Sequence, residues 1–238
     1  MHRFLLVSPR HGADIARAEY RDFITATGLP AAALDQVLLD SANASLPPLD
    51  AYSGVFVGGS PFMMSDAEYS AEQTHILSLL ETLVDGPIPT FFVCFGHGFL
   101  NAYAGGKIGR THPEDAGPTT VELTASGRKD PLTAGIPAEF TSLTGHTENV
   151  VIPGFECEVL ATAISCPVQM VRYGAHTWSC QFHADMDPAA MKARMDFYMD
   201  YGYFDKKEYA TIVAGLPSVD TTYSNKLLAN FVEYCRSR

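Results

Sequence analysis

In the first half of the chain, apolar residues come in short uninterrupted runs separated by stretches of helical spacing. That rhythm predicts strands buried on both faces alternating with helices. RFLLVS, at Arg3 to Ser8, is the first run. After a loop at Pro9 to Gly12, residues Ala16, Tyr20, Phe23 and Ile24 recur at helical spacing, and Gly28-Leu29-Pro30 stops that helix. QVLLD (Gln36 to Asp40) predicts a second strand, and GVFVGG (Gly54 to Gly59) a third that ends abruptly on two glycines. Ser65 reads as the N-cap of the next helix, with Asp66 and Glu68 in its first turn. Ile76, Leu80, Leu83 and Val84 give that helix a buried face before Gly86-Pro87 ends it. Ile88 to Val93 is the fourth strand, with Cys94 at its carboxyl end.

Past the helix that follows Cys94 the rhythm changes. TTVELTA (Thr119 to Ala125) alternates as an antiparallel strand does. Short β runs continue at Phe140 to Leu143, Asn149 to Val151, Cys157 to Ala163, Val168 to Tyr173 and Thr177 to Phe182. They predict antiparallel additions to a doubly wound, mostly parallel sheet of the α/β class. From Pro188 onward the spacing is helical. Met191, Met195, Tyr198 and Met199 share one face, and Leu227, Leu228, Phe231, Val232 and Cys235 share another. The pattern divides the chain into residues 1–186, an α/β domain, and 187–238, a helical extension packed on it.

Composition narrows the classes of partner. The net charge of −11 comes with no basic cluster, so neither nucleic acid nor an anionic membrane is expected. The amino-terminal apolar run is too short for a signal peptide, and no window has the length of a membrane span. Five widely spaced cysteines, without a C-x-x-C pair, form neither a disulfide framework nor a structural zinc pattern. The expectation is a cytoplasmic protein with no metal and no cofactor, in which Cys157, Cys166, Cys180 and Cys235 are packing residues. His97, His112 and His146 read as solvent-facing or hydrogen-bonded loop residues. Nothing in the pattern sets an oligomeric state.

The chemistry gathers at IPTFFVCFGHG. A strand that turns sharply into a helix, with a cysteine at the apex, is the geometry of a nucleophile elbow. Gly96 and Gly98 suit a tight turn that a substrate must approach closely. On this stretch alone a buried core cysteine fits as well. A nucleophile needs a base, and the base an orienting carboxylate. His183 and Asp185, two residues apart at the end of a β run, would share one face of a strand and could supply both. His176 falls at odd parity from His183, on the opposite face.

Three blocks, GGSP at Gly58 to Pro61, CFGHG at Cys94 to Gly98 and QFHAD at Gln181 to Asp185, resemble in order and separation the signature blocks of class I glutamine amidotransferases. HTENV at His146 to Val150 resembles the H-x-D-x-V block of members similar to the GMP synthetase amidotransferase domain, and GGKIGR matches the segment after the elbow helix. The resemblance implies a flavodoxin-like fold with Cys94 as nucleophile, His183 as base and Asp185 as its orienting acid. It further implies an oxyanion hole from the N–H groups of Gly59 and Phe95, and substrate contacts at Gly58, Gly98, Thr147 and Glu148. The substrate would be a small molecule, glutamine or a related γ-glutamyl amide or peptide. Ammonia would pass to a separate synthetase subunit, or the enzyme would work alone.

Four positions depart from the family pattern: Gly98 stands for Gln, Phe92 for Gly, Asp185 for Glu and Glu148 for Asp. Gly98 and Phe92 feed a rival reading, a catalytically degenerate fold kept for binding or regulation. A second rival is a cysteine protein of the DJ-1 and PfpI type, which the QFHAD block disfavours.

Overall fold

The computed structural model describes residues 2–238. Its first half runs β1 (Phe4–Ser8), α1 (Ala13–Thr27), β2 (Leu34–Leu38), β3 (Gly54–Val57), α2 (Ala71–Asp85), β4 (Thr90–Val93) and α3 (Phe95–Tyr103). The second half adds β5 (Lys107–Gly109), β6 (Glu114–Leu123), β7 (Glu139–His146), β8 (Asn149–Ile152), β9 (Cys157–Thr162), β10 (Met170–Tyr173) and β11 (Thr177–Cys180). It closes with α4 (Pro188–Phe197), α5 (Tyr209–Gly215) and α6 (Thr222–Arg236). Among the described residues, nine strands form one sheet in the order β2-β1-β3-β4-β11-β10-β9-β6-β7, and β5 pairs with β8 as a separate ribbon.

The doubly wound α/β architecture is as the hydrophobic rhythm predicts. Alternate residues of each central strand enter opposite cores, which is why those strands read as unbroken apolar runs. Phe4, Leu6, Phe56 and Phe91 face the layer that holds α1 and α6, while Leu5, Val7, Val55, Val57 and Phe92 face α2 and α3. Phe231 of α6 anchors the first layer, its ring 5.0 Å from Phe56 and 5.8 Å from Phe91.

Three expectations need correction. Helix α2 starts at Ala71, not after Ser65: Ser70 is its N-cap, its side chain accepting from Gln73 N, and Glu72 is the acid in the first turn. The last β run is not wholly antiparallel in its pairing. β11 lies parallel to β4 on one side and antiparallel only to β10, so it is the fifth parallel strand. Its four residues are all buried, as a central strand requires. The run at Asn149 to Val151 leaves the main sheet for the β5–β8 ribbon.

In an open parallel sheet, ligands collect beyond the carboxyl ends of the strands, where the order of crossovers reverses. Here β2 and β3 flank β1, so the reversal falls between β1 and β3. Arg10, Gly59, Cys94 and His183 follow β1, β3, β4 and β11 respectively. Four adjacent parallel strands thus deliver four polar or reactive groups to one edge.

Candidate active site

The strained point of the elbow is Cys94 itself, with φ 53° and ψ −101°. A non-glycine residue in such a conformation costs about 1–3 kcal/mol and is retained when its surroundings demand it. They do: Cys94 N–H donates to Cys180 O at 2.8 Å, and Cys94 O accepts from His97 N at 2.8 Å. Gly96 is needed for a different reason than turn flexibility. A Cβ there would stand 2.8 Å from the Phe92 Cβ. The bulky Phe92 is therefore accommodated by the glycine four residues on, and its ring packs 5.7 Å from that of Phe99.

His183 and Asp185 do meet, though not on a strand face. Both lie beyond β11, where His183 N–H bonds Leu143 O at 2.8 Å across an isolated bridge. The Asn225 side chain of α6 clamps the same turn by donating to Ala184 O and Met186 O. His183 Nδ1 comes within 3.1 Å of Asp185 Oδ1, so the shorter acid reaches the ring through the turn rather than through strand geometry. Burial by itself would push the His183 pKa down. The charges of Asp185 and Cys94 outweigh it and raise the value to about 10. Burial would likewise raise Asp185, but the neighbouring imidazolium holds it below its ordinary value. His176 sits before the other end of β11, its Nε2 3.3 Å from Gly86 O.

Around Cys94 the two glycines of GGSP do different things. Gly59 lines the site: a Cβ on it would lie 3.3 Å from His183 Cε1 and 3.7 Å from the Cys94 Cβ. Neither Gly59 N–H nor Phe95 N–H has an acceptor among the described residues. Gly58 does not line it. Its amide bonds Val7 O, and a Cβ there would fall 2.2 Å from Glu19 Oε1. Glu19 is fully buried, bonded by Ser8 Oγ at 2.6 Å and by the Arg10 guanidinium at 2.7 Å. Arg10 also donates to Gly59 O and to the Tyr198 hydroxyl, which fixes the loop carrying Gly59.

Two cavities flank Cys94. One, about 510 Å³ with its open mouth, contains His183, Gly59 and Arg10 and is walled by Met186, Met191, Met195 and Phe204. The other, about 370 Å³, lies on the side of Phe95, Gly98, His146, Thr147, Glu148 and Gln181. Ser60, Cys94 and Tyr203 border both. Gln181 Nε2 stands 4.0 Å from Cys94 Sγ. Thr147 and Glu148 reach the second cavity, but their polar atoms hold the loop after β3. Glu148 accepts from Met64 N at 2.8 Å and Ser65 N at 2.6 Å, and Thr147 donates to Met63 Sδ at 3.7 Å.

Two histidines that read as loop residues are buried instead. His97 lies inside α3, its ring bonded to Ser179 Oγ and Val168 O, and burial pushes its pKa down to about 3. It is a neutral strut between α3 and β11. His146 bonds Glu114 at 2.8 Å, and with Cys166 these residues form the one group at metal-ligating distance among the described residues. Glu114 is already taken by Thr119, Ser165, Gln169 and His146, and against the cost of burial the bonds from His146, Ser165 and Thr119 lower its pKa to about 2. Burial pushes the Cys166 thiol up to about 12. A protonated thiol beside a saturated carboxylate makes a hydrogen-bonded support for His146, not a metal cradle.

The chain matches the model of the family "Glutamine amidotransferase class-I" over residues 32–198. The chain belongs to that family. It is 27% identical over 148 residues to the glutamine-hydrolysing GMP synthase of Aeropyrum pernix, covering 62% of this chain and only 26% of that enzyme. It is 24% identical over 194 residues to γ-glutamyl peptidase 3 of Arabidopsis thaliana, covering 78% of this chain and 76% of the relative. A solved glutamine amidotransferase from Thermotoga maritima superposes over the full length of both chains, with a TM-score of 0.79 at 19% identity. As an amidotransferase-family fold, the chain carries its cysteine elbow and its His–Asp pair at the shared edge of the sheet. No described helix is long and apolar enough to cross a membrane.

Reading the sequence missed Arg10, Tyr203 and Gln181 as site residues. Arg10 had a usable signal, being a cation just past the carboxyl end of a buried strand. Tyr203 had none, because the 202–204 turn reaches Cys94 only through tertiary folding.

Proposed function

We propose that the protein hydrolyses the amide bond of glutamine or a related γ-glutamyl amide through a Cys94–His183–Asp185 triad and a thioester intermediate. The observation that carries this reading is the 3.1 Å contact between His183 and Asp185, with His183 and Cys94 in one cavity. Asp185 occupies Nδ1, so Nε2 is the ring nitrogen left to serve Cys94. The Cys94 thiolate attacks the γ-carbonyl carbon, and the oxyanion falls between the N–H groups of Gly59 and Phe95. Each such donor is worth about 3 kcal/mol in a preorganised site. His183, kept protonated by its neighbours, gives its proton to the departing nitrogen as the C–N bond breaks. Water, with the neutral imidazole now acting as base, then hydrolyses the thioester to glutamate and restores the thiolate–imidazolium pair.

The GMP synthase relatives support a second assignment of the same chemistry, in which ammonia from glutamine passes to a separate synthetase subunit in the cytoplasm. Both assignments meet one test. Amine release from γ-glutamyl substrates, and labelling of Cys94 by a glutamine-analogue electrophile, are expected from the wild type and absent from Cys94→Ala. Undiminished turnover in that variant overturns the mechanism. A folded wild type that neither turns over nor is labelled favours the binding-protein rival.

A further inference from the structure

We infer that the cavity on the His183 side of Cys94 receives the departing amine, and that this amine carries an apolar or aromatic body. The substrate is then a γ-glutamyl amide of such an amine rather than glutamine. The inference rests on the triad reading above. In that reaction the nitrogen leaves towards the group that protonates it, so the leaving group lies on the side of His183. The acyl part then lies on the other side of Cys94, in the cavity that Phe95 and Gln181 line.

Ammonia is a single heavy atom and needs no apolar wall of this extent. This one is built for something larger and greasy. Met186, Met191 and Met195 line it and are buried, and Tyr198, Tyr203 and Phe204 complete an aromatic wall. Methionine side chains adapt to irregular apolar shapes and favour contact with aromatic groups. Both basic groups at the wall are already engaged: Arg10 directs its terminal nitrogens to Glu19, Gly59 O and Tyr198, and Arg194 pairs with Asp22 at 2.8 Å and Glu19 at 3.9 Å. Much of the lining comes from α4 and the 202–204 turn, beyond the three signature blocks, so the chemistry of the amine is set by a part of the chain those motifs do not describe. The overall step balances as γ-glutamyl amide plus water giving glutamate plus the free amine.

The test is a series of γ-glutamyl compounds assayed for amine release: glutamine, γ-glutamyl methylamide, γ-glutamyl isobutylamide and γ-glutamyl benzylamide. With the wild type, kcat/KM for the last two is expected to exceed that for the first two by about tenfold or more, the range that a filled apolar pocket gives. Met191→Trp, which fills the cavity, is expected to cut the ratio of benzylamide to methylamide about tenfold, while Met191→Ala spares the large amides. Glutamine or the methylamide serving as well as the large amides overturns the inference and leaves the triad standing. A ratio unmoved by Met191→Trp in folded protein does the same. Should Met191→Trp fail to fold, the wild-type series decides alone. If no compound in the series is hydrolysed, or Cys94→Ala retains turnover, the triad reading fails and this inference falls with it.

Discussion

Met64 leans over Gly98: a Cβ built on the glycine would stand 3.4 Å from Met64 Cγ and 4.0 Å from Ile108 Cγ2. A Cβ alone would rest in ordinary contact with Met64, so it is the further reach of the glutamine common at this position in the family that would compete with Met64 for space. Gly98 and Met64 thus divide between them the space that one longer side chain would fill. Gly98→Gln is expected to lower kcat/KM for the wild type's best substrate about tenfold, and Met64→Ala in the same chain to recover part of that loss. Kinetics of the four-member cycle check this. Residues in contact couple by about 0.5–3 kcal/mol, so strictly additive losses would show that the two side chains act apart.

Glu148 supplies the other support of that loop. Its carboxylate accepts from the amides of Met64 and Ser65, and the same loop brings Phe62 and Met63 to the cavity wall. Removing an acceptor from two half-buried amides costs about 1–3 kcal/mol of local stability. Glu148→Ala is expected to speed hydrogen exchange at residues 63–66 and to raise KM more than it lowers kcat, with Glu148→Gln partly restoring both. A fall in kcat at unchanged exchange would mean that Glu148 touches the substrate.

The His183–Asp185 contact sets a pH range. The folded-state pKa of His183 is raised from an ordinary value of about 6.5, so the protonated ring persists well into alkaline solution. Its contribution to stability is complete below about 6.5 and is lost as pH rises through the folded value. If the protonated ring drives release of the amine, the alkaline limb of kcat/KM lies well above pH 7. Asp185→Asn removes the largest favourable charge on the ring, so that limb moves to clearly lower pH. Activity at neutral pH should fall by a factor on the order of 10²–10⁴, as in other triads whose acid is made neutral. The pH–rate profiles of both proteins decide it.

What is legible in the sequence is whatever short-range physics controls. Phe4–Ser8 and Thr90–Val93 are buried on both faces, so their apolar runs announce central strands, and the Cys94, His183 and Asp185 blocks are visible as ordered motifs. The start of α2 is not, because Ser65 and Asp66 mimic a cap while the Glu148 carboxylate draws the Ser65 amide elsewhere. β11 reads as antiparallel because its predecessors are, although a fully buried TWSC run already has the look of a central parallel strand. His97 and His146 read as loop residues because the groups that satisfy them, Ser179 and Glu114, are 82 and 32 residues away. The cavity walls are hidden for the same reason. Met63, Arg10 and Tyr203 converge on the cavities beside Cys94 from three distant segments.

Behind the site, Asp22 faces Arg194 at 2.8 Å, and Arg194 also stands 3.9 Å from Glu19. Burial dominates Asp22 and raises its pKa to about 7, against the pull of Arg194 and with the further push of Asp185. A carboxyl with a raised folded value holds its proton better when folded, so its ionisation destabilises the fold. Stability therefore falls as pH climbs from about 4 through 7. A tenfold difference in proton affinity between the folded and unfolded chain corresponds to about 1.4 kcal/mol, which sets the size of this loss at a few kcal/mol. Asp22→Asn keeps an acceptor for Arg194 but cannot ionise, so the drop in unfolding free energy between pH 5 and pH 8 should shrink relative to wild type. Urea unfolding of the two proteins at both pH values measures the difference. Parallel pH dependence in the two proteins would mean that Asp22 is ionised across the whole range and that Arg194 fully neutralises it.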